Sequence, residues 1–183
     1  MRQVRAVGVI YGALALALGV GFRSAESSML SSVFVGTEVG DHPPSFSAAD
    51  LKGARHTLKD YRGQVLVLHF WASWCPHCQE EVPKLVQLHR SWGDKGVQVL
   101  TVSIDTNRTQ LTRFIAFNDV AYPVVLDMDV PSSVVEAYEV WGVPTTFVVS
   151  RDGHIASRLD GNADLLGEVQ RVLAQSPSPS HRR

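Results

Sequence analysis

The stretch Val65–Trp71 (VLVLHFW) carries no formal charge and runs almost directly into Trp74-Cys75-Pro76-His77-Cys78. A continuous apolar, β-rich run suits a central strand covered on both faces. A chain built around it must therefore supply layers on both sides of a sheet. Beyond the second cysteine, Val82, Leu85, Val86, Leu88 and Trp92 recur at helical spacing. Pro76 suits the first position of that helix, Pro83 predicts a kink, and Gly93 and Gly96 close it. The two cysteines thus fall at the joint between a buried strand and a helix N-terminus.

The remaining pattern alternates strands and helices. Residues 97–104 read as a second buried strand, 109–118 as a helix, 124–127 as a short strand and 131–140 as another helix. Thr145–Val149 and residues 154–158 are strands joined through Arg151-Asp152-Gly153, a hairpin turn signal, and 163–175 is the closing helix. This order predicts an α/β sandwich with a mixed sheet. A 45% apolar composition is enough to fill its core, and the net charge of −1 excludes a strongly basic nucleic-acid binder. No repeat period is visible, which argues against solenoids and propellers.

The ends differ from the middle. A basic start (Arg2, Arg5) precedes residues 6–22, which are apolar and uncharged. That is the pattern of an export signal, and its length is near the lower limit for spanning a bilayer. Residues 1–25 are therefore expected to be a cleaved signal peptide or a retained membrane anchor, residues 26–40 a linker, 41–175 the folded domain, and 176–183 a disordered tail. The positive-inside rule leaves the domain on the periplasmic or another extracytoplasmic face. Without residues 1–25 the net charge moves from −1 to −4, since they hold three arginines and no acid. Disulfides persist in such a compartment.

Cys75 and Cys78 are the only cysteines. Alone they cannot build a disulfide scaffold or close a four-ligand zinc site, and the six histidines outside the dithiol show no ligand spacing. They can make one redox dithiol. The free N–H groups and dipole of the helix start favour a Cys75 thiolate, and Cys78 lies one turn on, within reach of a disulfide. A protonated His77 between them would stabilise that thiolate further and make the disulfide more oxidising. No organic cofactor and no metal is required.

The Trp-Cys-x-x-Cys segment after a central strand resembles the thioredoxin-like superfamily. Gly142-Val143-Pro144-Thr145-Thr146-Phe147 looks like its cis-proline segment. The resemblance implies a three-layer α/β sandwich with a mixed central sheet flanked by helices. It also implies a cis Pro144 facing the dithiol and a Val143 backbone able to pair with an extended substrate. Leu58…Asp60-Tyr61-Arg62-Gly63, Glu81-Val82-Pro83, a helix–strand insertion around 108–126 and the N-terminal segment are similar to the TlpA/ResA group of membrane-anchored thiol-disulfide oxidoreductases. That group also implies an N-terminal hairpin. The resemblance spans roughly residues 38–175.

Three departures stand out. His69 occupies the position of a buried Asp in many thioredoxins. It is either a proton acceptor or a buried histidine hydrogen-bonded to water, and Glu81 is the other candidate for the proton-transfer role. Pro76-His77 between the cysteines is DsbA-like, as is Val143 before the proline, yet there is no room for the DsbA helical insertion. Gly-Val-Pro-Thr differs from the Gly-Ala-Pro-Glu common in DsbE-type reductases.

The expected activity is exchange of a Cys75–Cys78 disulfide with exported proteins bearing thiols or disulfides. Cys75 attacks, Cys78 resolves, and His77, Glu81 and Pro144 assist. Trp74, Pro76 and Val143 form the substrate surface, while Trp71 belongs to the core. Tyr138 and Trp141 fit core or groove equally well, and Asp127 and Asp129 suggest a cation site or, more often for a lone pair in a turn, a solvated helix cap. A membrane redox partner is expected. Direction stays open between a reductase, for instance in cytochrome c maturation, and an oxidase. The alternatives are a copper-handling dithiol protein, which lacks clustered methionines, and a thiol peroxidase. The peroxidase reading meets Ala72 where a Thr or Ser belongs three residues before Cys75.

Overall fold

The computed structural model describes residues 34–161 and 163–175. The expected signal or anchor, most of the linker and the tail lie outside them. A small antiparallel hairpin comes first, β1 (Ser47–Ala49) with β2 (Arg55–Thr57). Then follow β3 (Val65–Trp71), α1 (Pro76–Trp92), β4 (Val97–Ser103), α2 (Arg108–Phe117), β5 (Val124–Leu126), α3 (Val134–Ala137), β6 (Thr145–Val149), β7 (Ile155–Asp160) and α4 (Leu165–Gln175). The main sheet has the order β5-β4-β3-β6-β7. β3, β4 and β5 run parallel, while β6 is antiparallel to β3 and to β7.

β3 is central, and every one of its residues is buried. Its side chains alternate between faces as a strand requires. Val65, Val67 and Trp71 join a core with Val82 and Leu85 of α1, Leu111 of α2 and Val169 and Val172 of α4. Leu66, Leu68 and Phe70 join a second core with Phe147 of β6, Val134 of α3 and Tyr138. Three layers result, as expected from a strand that is apolar on both sides. Leu51, in the β1–β2 loop, donates its N–H to Val124 O at 2.9 Å, so the hairpin covers the β5 edge.

Most element bounds agree with the sequence pattern to within two residues. α1 passes through Pro83 as one helix from Pro76 to Trp92. The helix expected over 131–140 is the exception, since only Val134–Ala137 is helical. Polar side chains set its start: Ser133 Oγ accepts the Glu136 N–H, and the Asp127 carboxylate accepts those of Val134 and Val135 at 2.8 and 3.2 Å. A left-handed residue, Glu139 at φ 50°, lies just past its end. Asp127 is thus a helix cap, while Asp129 pairs with Arg108. Within the expected linker, Gly40 donates its N–H to Ile155 O at 2.8 Å, fastening the chain to the start of β7. Among the described residues, no helix is long and apolar enough to cross a membrane.

Candidate active site

The dithiol sits where β3 hands over to α1. Cys75 is the N-cap residue, extended at φ −85°, ψ 117°, and its Sγ accepts the backbone N–H of Cys78 at 3.4 Å. Pro76 follows in the first helical turn, where its missing N–H costs nothing. Cys75 is 6% exposed and Cys78 fully buried, and both are free thiols. The outer sulfur is therefore the one a partner reaches, and the inner one meets only what Cys75 brings to it.

The loop carrying Cys75 is held by a residue that sequence reasoning passed over. Asp105, 1% exposed just beyond β4, accepts the Ser73 N–H at 2.8 Å and the Ser73 hydroxyl at 2.6 Å. It also accepts the Ser103 hydroxyl at 2.7 Å, while Gln79 Nε2 donates to the Ser73 carbonyl at 2.7 Å. All the backbone and side-chain polar groups of Ser73 are thereby engaged. An isolated Ser-x-Asp after a strand carries no sequence signal for this.

The Val143–Pro144 peptide is cis, as the resemblance implied, and Val143 O lies 3.6 Å from Cys75 Sγ. Trp74 is 57% exposed and Trp141 91% exposed. With Cys75, Pro76, Ile104, Val135, Val140 and Val143 they line an open groove of about 380 Å³ that has no charged wall. Trp141 also borders a second groove with Pro144, Thr145, Arg158 and Asp160. Trp71 and Tyr138 are core residues, 1% and 0% exposed.

The expected proton-handling residues fall into two groups. His77 is open to water, with its Nδ1 3.6 Å from the Glu80 carboxylate, so charge there is strongly screened. Glu81 is the reverse, 2% exposed although it lies on a helix. Burial holds its carboxyl above the usual range, with Glu80 adding to the effect and Lys84 opposing it. Burial also pushes the Cys78 thiol far up. The hydrogen bond to Cys75 and the charges of Cys75 and Glu81 act the same way, against a backbone hydrogen bond to Ala72. His69 is fully buried, its Nδ1 2.8 Å from Thr146 Oγ1 and 3.7 Å from Glu81 Oε2. Burial lowers its pKa to about 3. Among the described residues, no group of three His, Cys, Asp or Glu side chains could hold a metal ion.

A mixed five-stranded sheet with an N-capping cysteine, a buried second cysteine and an adjacent cis-proline defines a thiol-disulfide oxidoreductase of the thioredoxin-like class. Comparison with known proteins agrees. Residues 39–158 match the AhpC/TSA family, and the chain belongs to it. It is 33% identical over 123 residues to the thiol-disulfide oxidoreductase ResA of Geobacillus kaustophilus, covering 67% of this chain and 70% of that protein. To ResA of Bacillus subtilis it is 31% identical over 137 residues, covering 73% and 75%. A Chlorobium tepidum protein assigned as the thiol:disulfide interchange protein DsbE superposes with a TM-score of 0.68 at 28% identity, covering 75% of this chain and 99% of that one. The chain is a thiol-disulfide oxidoreductase of the ResA/DsbE type.

Proposed function

We propose that this protein reduces disulfides in exported proteins on the extracytoplasmic side of a membrane, apocytochrome c being the leading substrate class. In this reading residues 1–25 export or anchor the domain, and a membrane redox partner restores its dithiol. The observation that carries the reductive direction is the burial of Cys78 beside Glu81. An oxidant gains its potential from a stabilised thiolate form. Here the inner thiol is held protonated by desolvation and by a neighbouring carboxyl. His77, the residue that argues for an oxidant, is exposed and paired with Glu80.

The catalytic cycle follows from the same geometry. Cys75, at the helix start, attacks a substrate sulfur and releases the first substrate thiol. Cys78 gives up its proton, with Glu81 as acceptor, and attacks Cys75 Sγ. The mixed disulfide breaks, the second substrate thiol leaves, and a Cys75–Cys78 disulfide remains. The backbone at Val143 and Pro144 aligns the substrate chain as an added strand would, while Trp74 and Pro76 contact it.

The reduction potential of the Cys75–Cys78 couple in glutathione buffers tests the direction. A value at or below about −200 mV supports a reductant, whereas one near about −120 mV overturns it in favour of a DsbA-like oxidant.

A further inference from the structure

His69 lies on the face of β3 that also presents Val65, Val67 and Trp71 to α1 and α4. Its register partner on β6 is Thr146, whose Oγ1 is 2.8 Å from Nδ1. The other ring nitrogen, Nε2, is buried without a hydrogen-bond partner, and so is Glu81 Oε2, 3.7 Å from Nδ1. Unsatisfied polar atoms in an apolar core are costly, and here the partnerless carboxyl oxygen lies beside the ring nitrogen that Thr146 also contacts. An imidazole and a carboxyl side by side can exchange one proton with little movement. Either group can hold it, and neither is well placed to be charged alone.

We propose that His69 is a positioning residue for the proton acceptor of the resolving thiol: Glu81 and His69 share the one proton they accept from Cys78, and Thr146 fixes the ring that shares it. This rests on the reading that Glu81 receives the Cys78 proton. In the resolving step the proton leaves Cys78 Sγ for the Glu81–His69 pair. Cys78 Sγ bonds to Cys75 Sγ, and the bond between Cys75 and the partner sulfur breaks. The partner departs as a thiolate, which takes up the proton from the pair, directly or relayed through water. The pair thus returns to its starting state in each turnover. The charged or titratable groups around it are Cys78, Glu80 and Lys84 on α1 and Cys75 at its cap. The facing residues of α4, Leu165, Val169 and Val172, are apolar. A second holding site makes the pair a stronger base than Glu81 alone.

The test is a single-turnover measurement of the resolving step. Full-length protein is loaded at Cys75 with thionitrobenzoate, and release of the coloured thiolate by Cys78 is followed from pH 5 to 9. With His69→Asn, the pH limb moves down by about one unit and the rate above it falls five- to tenfold, while initial attack by Cys75 keeps its rate. Asn retains a hydrogen bond to Thr146 but cannot hold the proton, so a wild-type profile in His69→Asn overturns the proposal. Adding His69→Asn to Glu81→Gln produces no further shift if the two share one proton, whereas additive shifts overturn the sharing. If Glu81→Gln itself leaves the profile unmoved, the underlying assignment of Glu81 fails, a result distinct from failure of His69 alone. A readout independent of variant folding at position 69 is the ¹⁵N imidazole spectrum of His69 in protein with and without Glu81→Gln. A shift at His69 confined to the pH range of the limb supports the pair, and an unchanged signal overturns it.

Discussion

The carbonyl of Val143 lies 3.6 Å from the sulfur of Cys75, a residue 68 positions earlier in the chain. The joint between β3 and α1 and the segment leading into the neighbouring strand β6 therefore meet at the reacting atom. A substrate disulfide seated on Cys75 has the Val143 backbone beside it and Trp141 at the wall of the apolar groove.

Trp141 is 91% exposed, so its removal costs the fold little, within about 0.5 kcal/mol. Exposed tryptophans at binding surfaces carry a large share of binding energy. Trp141→Ala is expected to raise KM for a protein disulfide about fivefold and to leave reaction with a small aromatic disulfide unchanged. Equal losses with both substrates would remove Trp141 from the substrate surface.

The unequal burial of the two sulfurs predicts unequal variants. Cys75→Ser is expected to lose all exchange activity, because no other thiol can attack. Cys78→Ser is expected to keep the first attack and stall there, accumulating a mixed disulfide at Cys75 that intact-mass spectrometry detects. Turnover surviving in Cys75→Ser would sink the proposed cycle.

What the sequence disclosed and what it hid divide along a physical line. The buried strand and the helix start at Pro76 were legible because each rests on local chemistry, apolar continuity and a proline at a helix start, whereas the cis-proline segment was legible only through its resemblance to a family motif. The shortness of α3 was not, because Asp127 caps it from a separate turn and the apolar spacing continues past Ala137. Glu81 illustrates the same limit. Its place on an amphipathic helix is equally consistent with solvent or core, and only the packing of α1 on β3 decides it. The Asp105–Ser73 link joins residues 32 apart and has no local signature.

That link makes its own prediction. Asp105→Ala leaves the Ser73 amide, the Ser73 hydroxyl and the Ser103 hydroxyl without an acceptor in a buried setting. Chemical denaturation should show a loss of about 2–4 kcal/mol. Because Ser73 leads directly into Trp74 and Cys75, alkylation of Cys75 should also become faster in Asp105→Ala as the loop loosens. A stability change under about 0.5 kcal/mol would mean that water replaces the carboxylate without cost.

The buried pair gives stability an opposing dependence on pH. His69 falls from 6.5 to about 3 on folding, so the unfolded chain takes up a proton first as pH drops. Its contribution is present above about 6.5 and is lost as pH falls toward 3, on the order of a few kcal/mol across that window. Glu81 is shifted the other way, above its ordinary 4.5. Its contribution is complete below 4.5 and is lost as pH rises through the elevated value, since the folded state must then charge a buried carboxyl. Urea unfolding at pH 4, 5.5 and 7 separates the two. His69→Asn should flatten the acid side of the stability curve, and Glu81→Gln should flatten the rise in cost toward neutral pH. If instead both variants keep the wild-type slopes, neither group titrates differently in the folded and unfolded states, and the burial of this pair has no bearing on the proton it is assigned.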